Sequence, residues 1–310
     1  MDAPPRDPMP VIDAHHHLWD LDGAIPYGWL RRAEPSFLGD YAAIRRSYLP
    51  AEYRRDAALH HVVATVHVEA ECDRTHQIEE TAWLHTIAAR HGMPNAVVAH
   101  AWVDTPDAEE MLARQAAFPL VRGIRTKPMI AAGPSAADRA AVAGAPRSLQ
   151  DKSWRRGLAL LVRHGLSWDL RVPWYHLQEA ADVVRGLPPA LAVMLNHAGY
   201  PWDRSAEGLA VWRRGMAALA ACPNVHCKIS SLIVPGQAWT LAANLPIIRD
   251  ALAIFGIERC VYASNYPVDR LQGSFDYVLS AMKAALADHS PAEQAAFFAE
   301  NARRFYRIGG

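Results

Sequence analysis

Short apolar runs that end in polar residues alternate along this chain with longer stretches of amphipathic spacing. The first run, Val11-Ile12-Asp13-Ala14-His15-His16-His17-Leu18-Trp19-Asp20, predicts a strand that ends in three histidines. A β-branched run over 61–71 predicts a strand buried on both faces, as in a parallel sheet, with its polar residues at the C-terminal end. Six more strands are predicted over 96–104, 120–127, 166–172, 190–197, 225–230 and 260–264. Helical periodicity falls between them, at 75–90 before Gly92 and at 107–117, 154–164, 176–185, 209–221 and 246–255. Pro50 opens a further helical turn, and two helices close the chain.

Eight strand-then-helix units are the signature of an α/β fold with a single parallel (β/α)8 TIM barrel. The reading is one domain over 1–310, with 1–10 as a disordered or extended arm and long loops after strands 1 and 4. A doubly wound sheet is the alternative, but no glycine-rich phosphate loop follows the first strand. In each unit the polar residues gather at the strand's C-terminal end, the face where such barrels carry their sites.

Composition narrows the function classes. Of 310 residues, 51% are hydrophobic and 21% charged, and the formal net charge is zero, so neither nucleic acid nor an anionic membrane is implied as a partner. The proline-rich start lacks an apolar signal core, which predicts a cytoplasmic protein, and no run approaches a membrane span. The cysteines Cys72, Cys222, Cys227 and Cys260 show no metal-site spacing and are expected to be reduced. The expected partner is a small-molecule substrate, and a homo-oligomer is compatible with this composition.

Strand alternation puts His15 and His17 on one face and His16 on the other, a cradle for a divalent cation or an oxyanion. In a chain with fifteen histidines, a histidine-rich loop is the plainer reading. Arg125 suits a substrate carboxylate or carbonyl, or else an ion pair across the barrel layers. Lys228 stands inside an apolar strand, where a lysine is costly without a purpose. Asp169 and Arg171 share a face and reach the site together or serve as scaffolding. Glu69 is a candidate metal ligand or base, Asp269 either folds back over the site or lies on the surface, and Trp102, Tyr266 and Trp174 are candidate pocket walls.

Three motifs, His15-x-His17, Asn196-His197-Ala198-Gly199 and Tyr262-Ala263-Ser264-Asn265-Tyr266-Pro267-Val268-Asp269, resemble the amidohydrolase superfamily. Val66-His67-Val68-Glu69-Ala70 and Ser148-Leu149-Gln150-Asp151 resemble, more narrowly, its lactonase branch, with 2-pyrone-4,6-dicarboxylate lactonases and sugar-lactone hydrolases. The resemblance spans 11–306 and implies a hydrolase opening a lactone or related cyclic ester by attack of water. It implies a catalytic set of His15, His17, His197, Asn265 and Asp169, with substrate bound by Arg125, Lys228, Arg171, Trp102, Tyr266 and Asp269. It also implies either no cofactor or one divalent metal, zinc foremost, on His15, His17, His197 and Glu69.

Two departures stand out. The superfamily's strand 8 aspartate is here Asn265, whose amide has no useful basicity, and strand 5 offers Asp169 where many metal-dependent members have histidine. The resemblance leaves decarboxylation of an aromatic or unsaturated acid as one alternative, another chemistry of the superfamily's scaffold, and Asn265 in place of the base leaves binding with weakened catalysis as a second.

Overall fold

The computed structural model of the protein describes residues 7–32, 36–234 and 236–309. Its strands are β1 (Asp7–His16), β2 (His60–Val68), β3 (Ala96–Ala99), β4 (Val121–Ile124), β5 (Ser167–Leu170), β6 (Val193–Leu195), β7 (Val225–Ile229) and β8 (Cys260–Tyr262). They form one sheet in chain order, each strand parallel to the next, with helices on the outside of each crossover: the (β/α)8 barrel.

Side chains along the strands alternate between two cores. Val97, Ile124, Trp168, Leu170, Val193, Leu195, Cys227 and Ile229 face outward onto the helices. Ala64, Val66, Val68, Val98, Met194 and Val261 face inward, where Phe305 and Tyr306 of the last helical segment pack against them. Burial on both faces is why the strands read as continuous apolar runs.

Closure between β1 and β8 falls mainly beyond the end of β8. The Asn265 N–H donates to the His15 carbonyl and the His17 N–H to the Tyr266 carbonyl, each at 2.7 Å. Below that point the Asp13 carboxylate spans the seam, accepting from the Ser264 N–H at 2.8 Å, the Ser264 hydroxyl at 2.6 Å and the Tyr53 hydroxyl at 2.7 Å. A carboxylate with several donors there takes the place of ladder bonds.

Several predicted boundaries change. Residues 7–10, expected in the arm, begin β1 and pair with β2, while 1–6 lie outside the described residues. β3 stops at Ala99 and β6 at Leu195, short of the predicted ends. After β6, His197 (φ 56°) and Ala198 (φ 46°) are left-handed, which no strand accommodates. The helix predicted from Pro246 starts at Leu241, because the Thr240 hydroxyl caps it by accepting from the Ala243 N–H. The long loops after β1 and β4 hold short helices at Gly28–Arg32 and Ala136–Val142. Among the described residues no helix is long and apolar enough to cross a membrane, and all four cysteines are free.

Candidate active site

A cavity of about 320 Å³ opens at the C-terminal ends of the strands. His17, Ser36, Glu71, Arg125, Arg171, His197 and Asn265 form its polar wall, and Trp19, Trp29, Phe37, Leu38, Tyr41, Ala70, Tyr200 and Val268 the rest. His15, Glu69, Asp169 and Lys228 sit directly behind that polar wall, each at most 1% exposed. Trp102, Trp174 and Tyr266 lie off the cavity wall. Trp102 stacks under Arg147, its ring centroid 4.3 Å from the guanidinium, and the Tyr266 hydroxyl is turned to the Gly273 carbonyl.

The histidines at the end of β1 lie in a chain of close polar contacts between the Val68 carbonyl and Lys228. His17 Nδ1 lies 2.7 Å from the Val68 carbonyl, an acceptor only, so Nδ1 carries the proton and Nε2 the lone pair. His15 Nε2 lies 3.3 Å from that lone pair and 3.5 Å from Arg125 NH1, which can only donate. His15 Nδ1 faces the Lys228 ammonium at 3.4 Å. Burial, joined by the nearby cations Lys228 and Arg125, holds both imidazoles well below their usual range and therefore neutral. His16 points to the other side, packed between Tyr53 and His67 with ring centroids 4.8 and 5.7 Å away.

Behind the histidines each buried charge has a partner. Lys228 Nζ donates to Asp169 Oδ2 at 2.5 Å, and that carboxylate also accepts from Asn196 Nδ2 at 2.9 Å and the Tyr306 hydroxyl at 3.2 Å. Arg125 clasps Glu69, Nε to the carboxylate and NH2 to the backbone carbonyl, both at 2.6 Å. Both readings of Arg125 thus meet in one residue: it is ion-paired, and its remaining edge lines the cavity. Lys127 pairs with Glu71 at the rim. Arg171 differs: its Nε donates to the Tyr200 hydroxyl at 2.9 Å and its guanidinium lies 5.3 Å from the ring centroids of both Phe37 and Tyr200.

His197 owes its place to the left-handed turn after β6. Its Nδ1 meets the Ser230 hydroxyl at 2.8 Å, which leaves Nε2 for the cavity, and burial followed by Lys228 and Arg125 keeps the ring neutral. Asn265 is left-handed too (φ 54°), and its Nδ2 donates to Asp269 Oδ1 at 2.7 Å and to Ser231 Oγ at 3.0 Å. Asp269, read as a loop or surface residue, is 1% exposed, and burial raises its carboxyl to about 7.

A zinc ion on His15, His17, His197 and Glu69 does not fit this arrangement. Glu69 Oε1 is taken by Arg125 and Oε2 by the Glu71 N–H. His15 Nε2 could offer a lone pair only if Nδ1 held the proton, and Nδ1 faces an ammonium. Among the described residues no group of three or more His, Cys, Asp or Glu side chains is disposed to hold a metal ion.

Sequence reasoning missed Tyr200, Ser231, Tyr306 and the aromatic wall from Phe37. Tyr200 directly follows Asn196-His197-Ala198-Gly199, a signal that was available; Tyr306 reaches Asp169 from 137 residues away and carried none.

The amidohydrolase family profile matches residues 12–308. An uncharacterised protein of Sinorhizobium fredii is 35% identical over 301 residues, covering 96% of this chain and 98% of that one. An L-fucono-1,5-lactonase of Burkholderia ambifaria is 32% identical over 310 residues, covering 96% and 95%. A crystal structure of an amidohydrolase from Burkholderia multivorans with bound zinc superimposes with a TM-score of 0.79 at 26% identity, covering 96% of this chain and 99% of that one. With its barrel, its strand-end histidines and a profile match over almost its whole length, the chain belongs to the amidohydrolase family.

Proposed function

We propose that this chain, acting as a single domain, hydrolyses a lactone or related cyclic ester that bears a carboxylate. The observation that carries the reading is the cavity wall where neutral His197, the cavity-facing edge of Arg125 and Asn265 converge. The lactonase relatives support the reaction class. Arg171 supports the carboxylate: Arg125, Lys127 and Lys228 each form an ion pair with an acidic side chain, whereas Arg171 bonds to a phenol, lies against two rings and meets Glu71 only through its field, Glu71 itself being paired with Lys127. A substrate carboxylate suits the fork geometry of its guanidinium.

In this mechanism a water lies between His197 Nε2 and the Asn265 carboxamide oxygen. As it attacks the ring carbonyl, His197 takes its proton and Ser230 accepts from Nδ1–H. The Arg125 guanidinium faces the developing oxyanion, its own position held by two bonds to Glu69. His197 then returns the proton to the leaving alkoxide. No step requires a metal.

The test is acid release from a panel of neutral and carboxylate-bearing lactones, followed with a pH indicator beside a carbon dioxide assay on unsaturated acids. Acid release confined to carboxylate-bearing lactones supports the reading. Carbon dioxide without lactone opening replaces it with decarboxylation, and tight binding without turnover replaces it with a binding role.

A further inference from the structure

Asn265 has both amide hydrogens committed behind the cavity wall, to Asp269 Oδ1 at 2.7 Å and to Ser231 Oγ at 3.0 Å. The polar atom it has left for the cavity is therefore its carboxamide oxygen. An amide is nearly symmetric in shape, so nothing steric stops the group from turning over and presenting NH2 instead. The two faces differ in chemistry: the oxygen accepts a hydrogen bond from water and so turns that water's lone pair to a carbonyl, whereas NH2 donates a hydrogen bond to the water and ties up its lone pair.

We infer that Asp269 is a positioning residue for the proposed hydrolysis, fixing the polarity of the Asn265 amide so that its oxygen faces the nucleophilic water. This rests on the lactone-hydrolysis reading. Asp269 Oδ1 accepts from both Asn265 Nδ2 and Ser231 Oγ, the latter at 2.8 Å. Among the described residues its Oδ2 is buried without a partner. Ser231 is left-handed (φ 46°) like Asn265, so two strained loop ends turn their side chains onto one carboxylate. The Asp269 N–H donates to the Asn265 carbonyl at 3.2 Å, which ties the pair into one turn. Asp269 has no place on the cavity wall and acts only through Asn265.

An ionised carboxylate accepts and cannot donate, so it permits one amide orientation; a protonated one donates and permits both. Asp13, Tyr262 and Tyr266 are the titratable groups facing Asp269; burial, opposed by the bonds from Asn265 and Ser231 and aided by the Asp13 charge, raises its carboxyl to about 7. Fixed polarity is thus lost as pH falls through that value.

The experiment compares the parent with Asp269→Asn and with the exchange Asn265→Asp/Asp269→Asn, each checked for native near-ultraviolet circular dichroism. The parent is expected to show an acid limb in kcat near pH 7. Asp269→Asn should lose that limb and about tenfold to hundredfold in kcat at unchanged KM. The exchange puts an acceptor back on the wall with a donor behind it, and should recover kcat at least about tenfold over Asp269→Asn. A variant keeping kcat within about threefold, limb included, overturns the inference while leaving the hydrolase reading intact. Should the parent open no lactone, that reading fails, and the Asn265 side-chain amide resonances still decide the inference. They should titrate near pH 7 in the parent and not in Asp269→Asn, and an Asn265 amide that does not titrate overturns it.

Discussion

Lys228 and Asp169 meet at 2.5 Å inside the barrel, with no exposed side-chain surface on either. They lie 59 residues apart, on β7 and β5, and Lys228 also touches His15, so the pair links the barrel's interior to the histidines of the wall. Burial lowers the Lys228 ammonium and Asp169 opposes that shift. Removing one partner leaves a buried charge, so Lys228→Met is expected to lose about 3–5 kcal/mol of stability. The paired change Lys228→Met with Asp169→Leu should lose far less. Urea denaturation midpoints at constant m-value are the check; equal losses in the two variants would show that Lys228 acts by packing alone.

Arg171 supplies the charge for substrate selection in the proposed reaction. Arg171→Met is expected to raise KM for a carboxylate-bearing lactone about tenfold to hundredfold, the worth of a charge-assisted bond, with kcat little changed. A neutral lactone should show no such effect. Steady-state kinetics on matched ester and acid substrates read the difference directly.

Asp269 sets a pH dependence of stability whose sign follows from its raised carboxyl. In the folded chain it titrates at about 7, against an ordinary value of 3.8. Between those values the folded state binds more protons than the unfolded one, so stability declines as pH rises through the window and levels off above it. The decline attributable to this group is ~4 kcal/mol. Asp269→Asn should remove it, so thermal melts from about pH 4 to about pH 8 should show the variant gaining on the parent as pH rises. A constant difference between the two would place the titration elsewhere.

The cations around His15 bear on metal dependence. Its Nδ1 faces Lys228 and its Nε2 lies 3.5 Å from Arg125 NH1, so both ring nitrogens already meet a cation. Chelator-treated protein, its metal content checked by mass spectrometry, is expected to keep kcat within about twofold. A loss restored specifically by zinc would mean that His15 and Lys228 rearrange around the ion.

Much of this was legible along the chain. Each of the eight strands was predicted within a few residues, because burial on both faces leaves long apolar runs and a barrel gathers polar residues at one end of them. His17, His197, Arg125 and Asn265 stood out for the same reason, that they terminate those runs, and the structure brings them to one cavity with His15 behind it. Trp102 and Tyr266 follow strand ends as well, yet local backbone turns their rings off the cavity wall.

What the sequence by itself determined is the repeating unit and the residue types at each strand's end, since both depend on local periodicity and on which side chains tolerate burial. Only the tertiary structure decided the partnerships: Lys228 with Asp169, Tyr306 with Asp169, Arg125 with Glu69, and Arg171 with the Tyr200 hydroxyl. Those depend on how the barrel's curvature brings distant strand ends within hydrogen-bond reach, and no spacing along the chain encodes that distance. The reversal at Asp269 has the same origin. Four residues beyond Asn265 it looks like a surface turn, and the left-handed backbone at Asn265 folds it inward to hold an amide in place.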